Sequence, residues 1–293
     1  MSSQHAGGPV RPRRSALYVP ADNARALEKA RTLDVDVLIF DLEDAVAPAA
    51  KVEARAQLAE ALGRGSFGRR EKVVRVNGRA GPWEAEDLRM VASCGADAVL
   101  LPKVEGPATI RVIEAALAAN RAPEELAIWA MVETPTGVLR AEAIAEASTR
   151  LGCLVAGTSD LVKDLNARHT PGRTEVLTAL SMIVLAARAN GLACLDGVHL
   201  DLSDQAGFEA ACRQGRDLGF DGKTLIHPKT AAAANALFGP SEAELAAARR
   251  VVEAHRAADA EGRGVVVVDG RLVEALHVAA AQRLLALAEA IGN

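Results

Sequence analysis

Residues 36–43 read DVLIFDLE, a short run with four consecutive apolar side chains that ends in carboxylates. Apolar residues at consecutive rather than alternate positions indicate a strand buried on both faces, as in a parallel sheet covered by helices. Seven further runs of this type occur along the chain. Together, the eight runs are residues 16–20, 36–43, 72–77, 98–104, 127–133, 153–160, 193–199 and 222–227.

Helical patterns alternate with these runs, and the runs start about 29 residues apart, roughly the length of one βα unit. The patterns cover residues 23–33, 49–62, 82–93, 107–119, 136–147, 173–190, 205–218 and 228–237. Eight β/α units in succession favour an α/β fold of the TIM (β/α)8 barrel type over a doubly wound sheet.

A break at residues 238–241 (FGPS) follows the eighth unit. We predict a helix over 242–260, a hairpin around the turn Asp269-Gly270 and a last helix over 274–291. The expected organisation is a disordered tail (1–13), a barrel (14–238) and a C-terminal helical and hairpin extension (239–293). That extension is either a brace or a lid over an active site.

Composition excludes several classes of protein. The net charge is −4, which provides no basic field for nucleic acid. No stretch approaches ~18 uninterrupted apolar residues, so no membrane span is expected. The start of the chain does not resemble a secretory signal. The four cysteines form no CxxC pair, so we expect free thiols in a cytoplasmic protein rather than a zinc site.

The ends of the predicted strands are rich in polar side chains, where barrel enzymes carry their catalytic groups. Unpaired buried charges are costly, so this set predicts an active site. The set comprises Asp41, Glu43, Asp44, Arg75, Asn77, Lys103, Glu105, Glu133, Asp160, Asp196, His199 and His227. Alternatively, Asp41, Glu43, Lys103 and Glu105 form a salt-bridge network that holds the barrel mouth.

Glu133 and Asp160 come from adjacent predicted strands, and such an oxygen-rich pair suits Mg²⁺. The alternative is a carboxylate pair bound to Arg75. Otherwise Arg75 is suited to grip a ligand carboxylate or a developing enolate oxygen with two hydrogen bonds. Arg25 and Lys29 share one helix face after the first strand, which is either a site for a phosphorylated or acidic ligand or a solvated basic face.

Seven ordered motifs resemble the citrate lyase β-subunit-like proteins of the HpcH/HpaI aldolase and citrate lyase superfamily, over about residues 14–290. The motifs are residues 14–20 (RSALYVP), 41–46 (DLEDAV), 75–77 (RVN), 101–105 (LPKVE), 132–135 (VETP), 157–161 (GTSDL) and 222–228 (GKTLIHP). The resemblance implies a Mg²⁺-dependent carbon–carbon lyase that acts on a 3-hydroxyacyl thioester of malyl-CoA, citramalyl-CoA or methylmalyl-CoA type. Coenzyme A would be part of the substrate rather than a prosthetic group.

The resemblance also implies roles for individual residues. Glu133 and Asp160 would bind the metal next to the substrate, and Arg75 would hold the oxo-acid carboxylate and stabilise the enolate. Residues at coenzyme A-contacting positions are Tyr18, Arg25, Lys29, Ile226 and His227. A homotrimer or hexamer is expected, in which the C-terminal segment of one subunit covers the neighbour's barrel mouth.

One departure from the family pattern bears directly on the chemistry. Glu274 stands where the family has an aspartate that acts as an acid/base in trans. Its carboxyl lies one methylene further from the backbone, and catalytic geometry is sensitive on that scale. The alternatives to a lyase are therefore a malyl-CoA thioesterase, a citryl-carrier lyase subunit, and a non-catalytic regulatory or complex partner.

Overall fold

Eight parallel strands close into a barrel in the order in which they occur in the sequence, and β8 pairs with β1. The computed structural model describes residues 10–79, 81–260 and 265–292. The strands are β1 (Ser15–Pro20), β2 (Val37–Asp41), β3 (Glu71–Arg75), β4 (Ala98–Leu101), β5 (Ala127–Val132), β6 (Leu151–Ala156), β7 (Ala193–Asp196) and β8 (Gly222–Leu225). The predicted TIM barrel is confirmed. The first nine residues of the predicted tail lie outside the described part.

A largely aliphatic core fills the barrel interior, in keeping with a chain that has only 3% aromatic residues, and Trp129 is the aromatic residue among its buried members. Successive side chains of a strand point to opposite faces, so alternate residues of each strand enter this core. Its buried members are Ala16, Val37, Ile39, Val73, Ala98, Leu100, Trp129, Met131, Cys153, Val155 and Leu195. Residues two positions further along the same strands, such as Arg75 after Val73, therefore face the mouth of the barrel.

Helices separate the strands and cover the outside of the barrel. They are α1 (Ala24–Ala30), α2 (Lys51–Gly63), α3 (Glu84–Val91), α4 (Pro107–Ala119), α5 (Pro135–Leu139), α6 (Ala141–Ala145), α7 (Thr158–Asp164), α8 (Leu177–Ala189), α9 (Gln205–Leu218) and α10 (Ala231–Phe238). The predicted bounds of α4 and α9 are confirmed. Pro107 occupies the first turn of α4, and the side chain of Asp204 caps α9 by accepting a hydrogen bond from the Gly207 amide.

Two predictions about these elements are wrong. The sixth run does not continue as a strand to residue 160, because the chain turns at Gly157 and α7 begins at Thr158. The helix predicted over 136–147 is broken at Arg140 into α5 and α6. In neither place does the hydrophobic pattern reveal the boundary, because residues 157–160 (GTSD) carry no apolar period and apolar residues flank Arg140 on both sides.

The chain divides into two compact units, Arg13–Asn235 and Ala236–Asn293, and residues 10–12 group with the second. The second unit holds α11 (Glu242–Ala260), the antiparallel pair β9 (Val266–Val268) and β10 (Arg271–Val273), and α12 (Ala275–Gly292). Within it, α11 and α12 pack against each other. None of the described helices is both long and apolar enough to cross a membrane.

Candidate active site

A cluster formed by one arginine, Arg75, and three carboxylates lies at the barrel mouth; we call it the arginine cluster. Asp41 pairs with Arg75 in the register of β2 and β3, so the two side chains meet on the inner face. Arg75 Nη2 donates to Asp41 Oδ2 at 2.6 Å, and Nε donates to Oδ1 at 2.8 Å. Nη1 lies 3.0 Å from Glu43 Oε2 and 3.2 Å from Asp44 Oδ2. The guanidinium is thus surrounded by three carboxylates.

The electrostatics of the cluster keep Arg75 charged. Burial alone would lower the pKa of Arg75, but the hydrogen bond to Asp41 and the nearby negative charges outweigh burial and raise it. The ring of Tyr18 lies 4.8 Å from the guanidinium in a cation–π contact. Burial raises the pKa of the Tyr18 phenol, so the ring is neutral at physiological pH. Arg75 therefore presents a permanent positive charge, and its two shortest contacts are the hydrogen bonds to Asp41.

Glu133 follows β5 directly and is 3% exposed. One of its oxygens, Oε1, accepts a hydrogen bond from the backbone N–H of Lys103 at 2.8 Å. Burial, together with the charges of Glu43 and Asp160, raises the pKa of Glu133 to about 7, and the contacts with Lys103 only partly oppose this rise. The other side of the carboxylate lies against Gly157, which provides the space that it occupies. A positive charge placed at this carboxylate would be stabilised.

Asp160 lies in the first turn of α7, and its side chain is 28% exposed. Its Oδ2 is 3.7 Å from the ammonium of Lys103, which also donates to Glu43 Oε1 at 2.9 Å. Glu43 Oε2 is buried and accepts no hydrogen bond of good geometry in the described part of the chain, although it lies 3.0 Å from Arg75 Nη1 in an ion pair. The site therefore holds more acceptor oxygens than the side-chain donors satisfy.

A cavity of about 370 Å³ brings these groups together. It is lined by Tyr18, Pro20, Asp41, Asp44, Ala45, Arg75, Met131, Glu133, Ala156, Gly157, Thr158, Ser159, Asp160, Val198, Thr224 and Ile226. Seven residues singled out from the sequence as active-site or binding residues line it: Tyr18, Asp41, Asp44, Arg75, Glu133, Asp160 and Ile226. The alternative prediction, in which Arg75 binds the carboxylate pair Glu133 and Asp160, is wrong. Arg75 instead forms ion pairs with Asp41, Glu43 and Asp44.

The oxygens of Glu133 and Asp160 fit a hard divalent cation. Across the described ranges, no three His, Cys, Asp or Glu side chains form a group able to hold a metal, so a cation here would have at most two such ligands. Mg²⁺ binds in this way, with one or two carboxylates and several waters or substrate oxygens. Burial and the charges of Glu43 and Asp160 raise the pKa of Glu133, so a cation bound between Glu133 and Asp160 would relieve the repulsion between their carboxylates.

The sequence did not single out Met131, Thr158 and Thr224, which also line the cavity. Period-two counting would have found Thr224, because it lies two residues before Ile226 on the same face of β8. The same counting places Met131 two residues before Glu133. Period-two counting could not have identified Thr158, because this residue begins the helix α7, which the sequence pattern did not predict.

Arg25, Lys29 and His227 are outside the lining of the cavity. Arg25 and Lys29 are exposed on α1, four residues apart on one face. The imidazole of His227 accepts a hydrogen bond from the backbone N–H of Lys229 at its Nδ1 atom, at 3.1 Å. That contact caps a short 3₁₀ turn, Pro228–Thr230.

Asp196 corrects the expectation that the polar strand ends form a single site. Leu195 packs in the barrel core, so the next side chain points outward, towards the helices. There, Asp196 accepts hydrogen bonds from Lys223 and Arg173, at 2.8 and 2.7 Å. Asp196 and Lys223 are both fully buried. The carboxylate is therefore part of a buried ion cluster on the outer face of the barrel, between the strands and the helices.

Asn77, Glu105 and His199 also lie apart from the cavity lining. The side chain of Asn77 donates to Asp87 at 2.7 Å. Glu105 is exposed and takes no part in the predicted salt-bridge network, whose other members make the ion pairs Arg75–Asp41 and Lys103–Glu43.

Glu274 belongs to the second unit. It is exposed between β10 and α12, and its backbone carbonyl accepts a hydrogen bond from the backbone N–H of His277 at 2.9 Å. Its backbone N–H donates to Nδ1 of the same histidine at 3.0 Å. The residue therefore occupies the start of the last helix, and its carboxylate projects into solvent.

Known proteins with similar sequences match almost the whole chain. A model of the family HpcH/HpaI aldolase/citrate lyase matches residues 14–228. A (3S)-malyl-CoA thioesterase of Cereibacter sphaeroides (strain KD131 / KCTC 12085) is 47% identical over 280 residues, which are 96% of this chain and 96% of that protein. The citrate lyase subunit beta of Escherichia coli (strain K12) is 38% identical over 288 residues, 97% of this chain and 95% of that protein.

A solved structure shares the architecture. Protein CitE from Mycobacterium tuberculosis, in complex with magnesium, acetoacetate and coenzyme A, is 32% identical with a TM-score of 0.76. The match covers 98% of this chain and 99% of that chain.

Proposed function

The chain belongs to the HpcH/HpaI aldolase/citrate lyase family, and on that premise we propose that it is a Mg²⁺-dependent enzyme acting on a malyl-type 3-hydroxyacyl-CoA thioester. The reaction we favour is cleavage of the carbon–carbon bond next to the hydroxyl group, which yields an oxo acid and an acyl-CoA. The observation that carries the proposal is the convergence of Glu133, Asp160 and the Arg75 cluster on one cavity.

Glu133 and Asp160 would hold the metal ion. When bound, Mg²⁺ would act as a Lewis acid towards the hydroxyl and carboxylate oxygens of the substrate. The backbone N–H of Lys103 keeps Glu133 in place from the opposite side, through the hydrogen bond to Oε1. A cavity whose carboxylates are oriented before binding lowers the cost of reorganisation during the reaction.

Arg75 would stabilise negative charge on the substrate. Nη1 has the longer contacts, 3.0 and 3.2 Å, and is therefore the donor most easily shared with a ligand oxygen. In the forward cleavage, the substrate hydroxyl passes its proton to the Glu274 carboxylate of a neighbouring subunit and becomes a carbonyl. The bond to the carbon next to the thioester breaks, and its electron pair passes to an enolate. That carbon then takes up a proton, and we assign the donor role to Glu274 of a neighbouring subunit.

We further propose that Tyr18, Arg25, Lys29, Ile226 and His227 contact the coenzyme A part of the substrate. Tyr18 and Ile226 line the cavity, where apolar surface suits the thioester arm. The exposed cations of α1 suit the phosphates of coenzyme A, since surface charges attract anions even without a pocket. The proposed assembly is a homotrimer or hexamer in which residues 239–293 act as a lid on the neighbour's barrel, residues 14–238.

Hydrolysis of the thioester is the second candidate. It is favoured by the 47% identity to a protein named (3S)-malyl-CoA thioesterase and by Glu274, whose longer side chain suits a base that activates water. Both reactions need Mg²⁺ held by Glu133 and Asp160, and both act on a substrate that carries the same carboxylate. The barrel residues therefore support either reaction.

Product analysis separates the two reactions. The enzyme is offered malyl-CoA, citramalyl-CoA and β-methylmalyl-CoA with Mg²⁺, and the products are identified by mass spectrometry. Carbon–carbon cleavage yields an oxo acid and an acyl-CoA, whereas hydrolysis yields free coenzyme A and the intact hydroxy acid. A hydroxy acid without any oxo acid would replace the lyase proposal with the thioesterase. Turnover of none of the three esters would contradict both.

A further inference from the structure

Lys103 adopts an unusual backbone conformation in the loop between β4 and α4. Its φ angle is +50°, in the left-handed region that residues with a Cβ rarely adopt. Such strain persists only where surrounding contacts over-determine it, and it is frequent at functional sites. The contacts of Lys103 are therefore a guide to its role.

Those contacts join three carboxylates through a single residue. The backbone N–H donates to Glu133 Oε1 at 2.8 Å, and Nζ donates to Glu43 Oε1 at 2.9 Å. Nζ also lies 3.7 Å from Asp160 Oδ2. One residue thus contacts both members of the proposed metal pair and, through Glu43, the arginine cluster.

The balance of charge gives these contacts an energetic consequence. Arg75 is already surrounded by Asp41, Glu43 and Asp44, so it does not compensate the metal pair. In the described ranges, the other ammonium near Asp160 is that of Lys163, 3.9 Å away on a side chain that is 77% exposed. Water screens such an exposed charge strongly.

We propose that Lys103 is a positioning residue whose ammonium balances the negative charge of the two metal-binding carboxylates, Glu133 and Asp160. Its backbone N–H orients Glu133, and its ammonium occupies the negative field at Asp160 until Mg²⁺ binds. Because the ammonium and Mg²⁺ are attracted to the same oxygens, Lys103 also weakens the affinity of the site for the metal. This inference rests on the proposed function, in which Glu133 and Asp160 hold Mg²⁺.

Calorimetric titration with Mg²⁺ tests the inference without any substrate. The metal-stripped enzyme is compared with Lys103→Met, which keeps the backbone donor and removes the charge, and with Lys103→Arg, which keeps both. Lys103→Met should bind Mg²⁺ about threefold to tenfold more tightly, since the lysine side chain is 46% exposed and its charge is partly screened. Lys103→Arg should bind as the parent does.

Lys163→Met is the matched control, because it removes an equal charge near the same carboxylate from an exposed position. Its affinity should stay within about twofold of the parent value. Thermal unfolding provides a second measurement. Without metal, Lys103→Met should unfold at a lower temperature than the parent, and added Mg²⁺ should raise its unfolding temperature by more.

Unchanged or weaker Mg²⁺ binding by Lys103→Met, with binding by the parent intact, would overturn this inference alone. A parent enzyme that does not bind Mg²⁺ would overturn the proposed function together with it. If Lys103→Met does not fold, Lys103→Gln replaces it with the same expected gain in affinity, because glutamine keeps a donor for Glu43 without the charge.

Discussion

Gly157 and Glu133 share one corner of the cavity so closely that only glycine fits beside the carboxylate. A Cβ atom at position 157 would lie 2.3 Å from the Cβ of Glu133 and 2.5 Å from its Oε2. The φ angle of Gly157 is −100°, which any residue can adopt, so the demand for glycine is steric rather than conformational. The Glu133 carboxylate can therefore occupy its position only because Gly157 has no Cβ atom.

Replacing Gly157 with alanine should displace the Glu133 carboxylate. We expect kcat/KM to fall by about 10²-fold, since displacements on the order of 1 Å at a reacting centre have effects of that size. The free energy of unfolding should fall by only about 1–3 kcal/mol, the usual cost of overpacking. Gly152→Ala, in the strand β6 that ends just before Gly157, is the control, because its added Cβ would approach its neighbours no closer than 3.6 Å. Near-parent kcat/KM for Gly157→Ala would show that the carboxylate position is not critical.

The pKa of Glu133 predicts how the stability of the metal-free protein depends on pH. Burial raises this pKa to about 7, above the value of 4.5 of an unperturbed glutamate. A raised carboxyl pKa means that the folded state holds the proton more tightly, so stability contributed by the protonated form is lost as the pH rises towards and through 7. Relative to Glu133→Gln, the parent should lose up to about 3 kcal/mol between pH 4 and pH 8.

Urea unfolding of both proteins across this pH range, in the presence of a chelator, measures the difference. Glu105→Gln is the control, because Glu105 is exposed and its loss should change the curve little. A parent that gains stability over Glu133→Gln as the pH rises would contradict the raised pKa. Binding of Mg²⁺ should also weaken below about pH 7, since the metal binds the ionised carboxylate.

Arg75 should be required both for stability and for turnover, and two variants separate these roles. Arg75→Met leaves Asp41 buried without its cation and Glu43 paired with Lys103 alone, and it should cost about 3–5 kcal/mol of unfolding free energy. Arg75→Lys keeps the charge but not the two-point contact, so it should be less destabilising while still lowering kcat/KM by about 10²-fold. Arg13→Lys is the control, since Arg13 also binds a carboxylate through two donors, on Glu71. It should lower stability but leave the kcat/KM of the folded enzyme unchanged.

Neutralising Arg25 and Lys29 together should weaken binding of the coenzyme A part of the substrate. We expect KM for the CoA ester to rise by about tenfold with kcat nearly unchanged, because these contacts are the same in the ground state and the transition state. The pantetheine ester of the same acid lacks the nucleotide phosphates and should show no such change. The control is the double variant Arg89→Gln with Arg213→Gln, two exposed cations on other helices. Equal KM for the parent and the Arg25 and Lys29 variant would remove these residues from the site.

Glu274 should act across a subunit interface. Glu274→Gln should lose about 10²-fold or more in rate, the usual scale of general acid–base catalysis. Mixing it with inactive Glu133→Ala subunits should restore part of the activity, since a mixed assembly then contains one intact composite site. Failure of this complementation after confirmed subunit exchange would confine Glu274 to its own subunit or to no catalytic role. If Glu274→Asp raises lyase activity and lowers hydrolysis, the parent enzyme is a thioesterase.

The amino-acid sequence determined the barrel, several helix bounds and the residue types of the candidate site. Consecutive apolar residues identify strands buried on both faces, and Pro107 and Asp204 mark the starts of their helices through local backbone chemistry. These features depend on neighbours in the chain, so the sequence contains the relevant information. The resemblance of seven ordered motifs then supplied the expected metal pair, Glu133 and Asp160.

Only the tertiary structure decided which polar residues share a cavity. A strand with apolar residues on both faces does not reveal which face looks inward, so Asp196 and Arg75 look alike in sequence but point to opposite sides of the sheet. The pairing of Arg75 with Asp41 depends on two strands lying in register, 34 positions apart in the chain. The contacts of Lys103, whose backbone is left-handed, with Glu43, Glu133 and Asp160 likewise form only when the closed barrel brings these three carboxylates together.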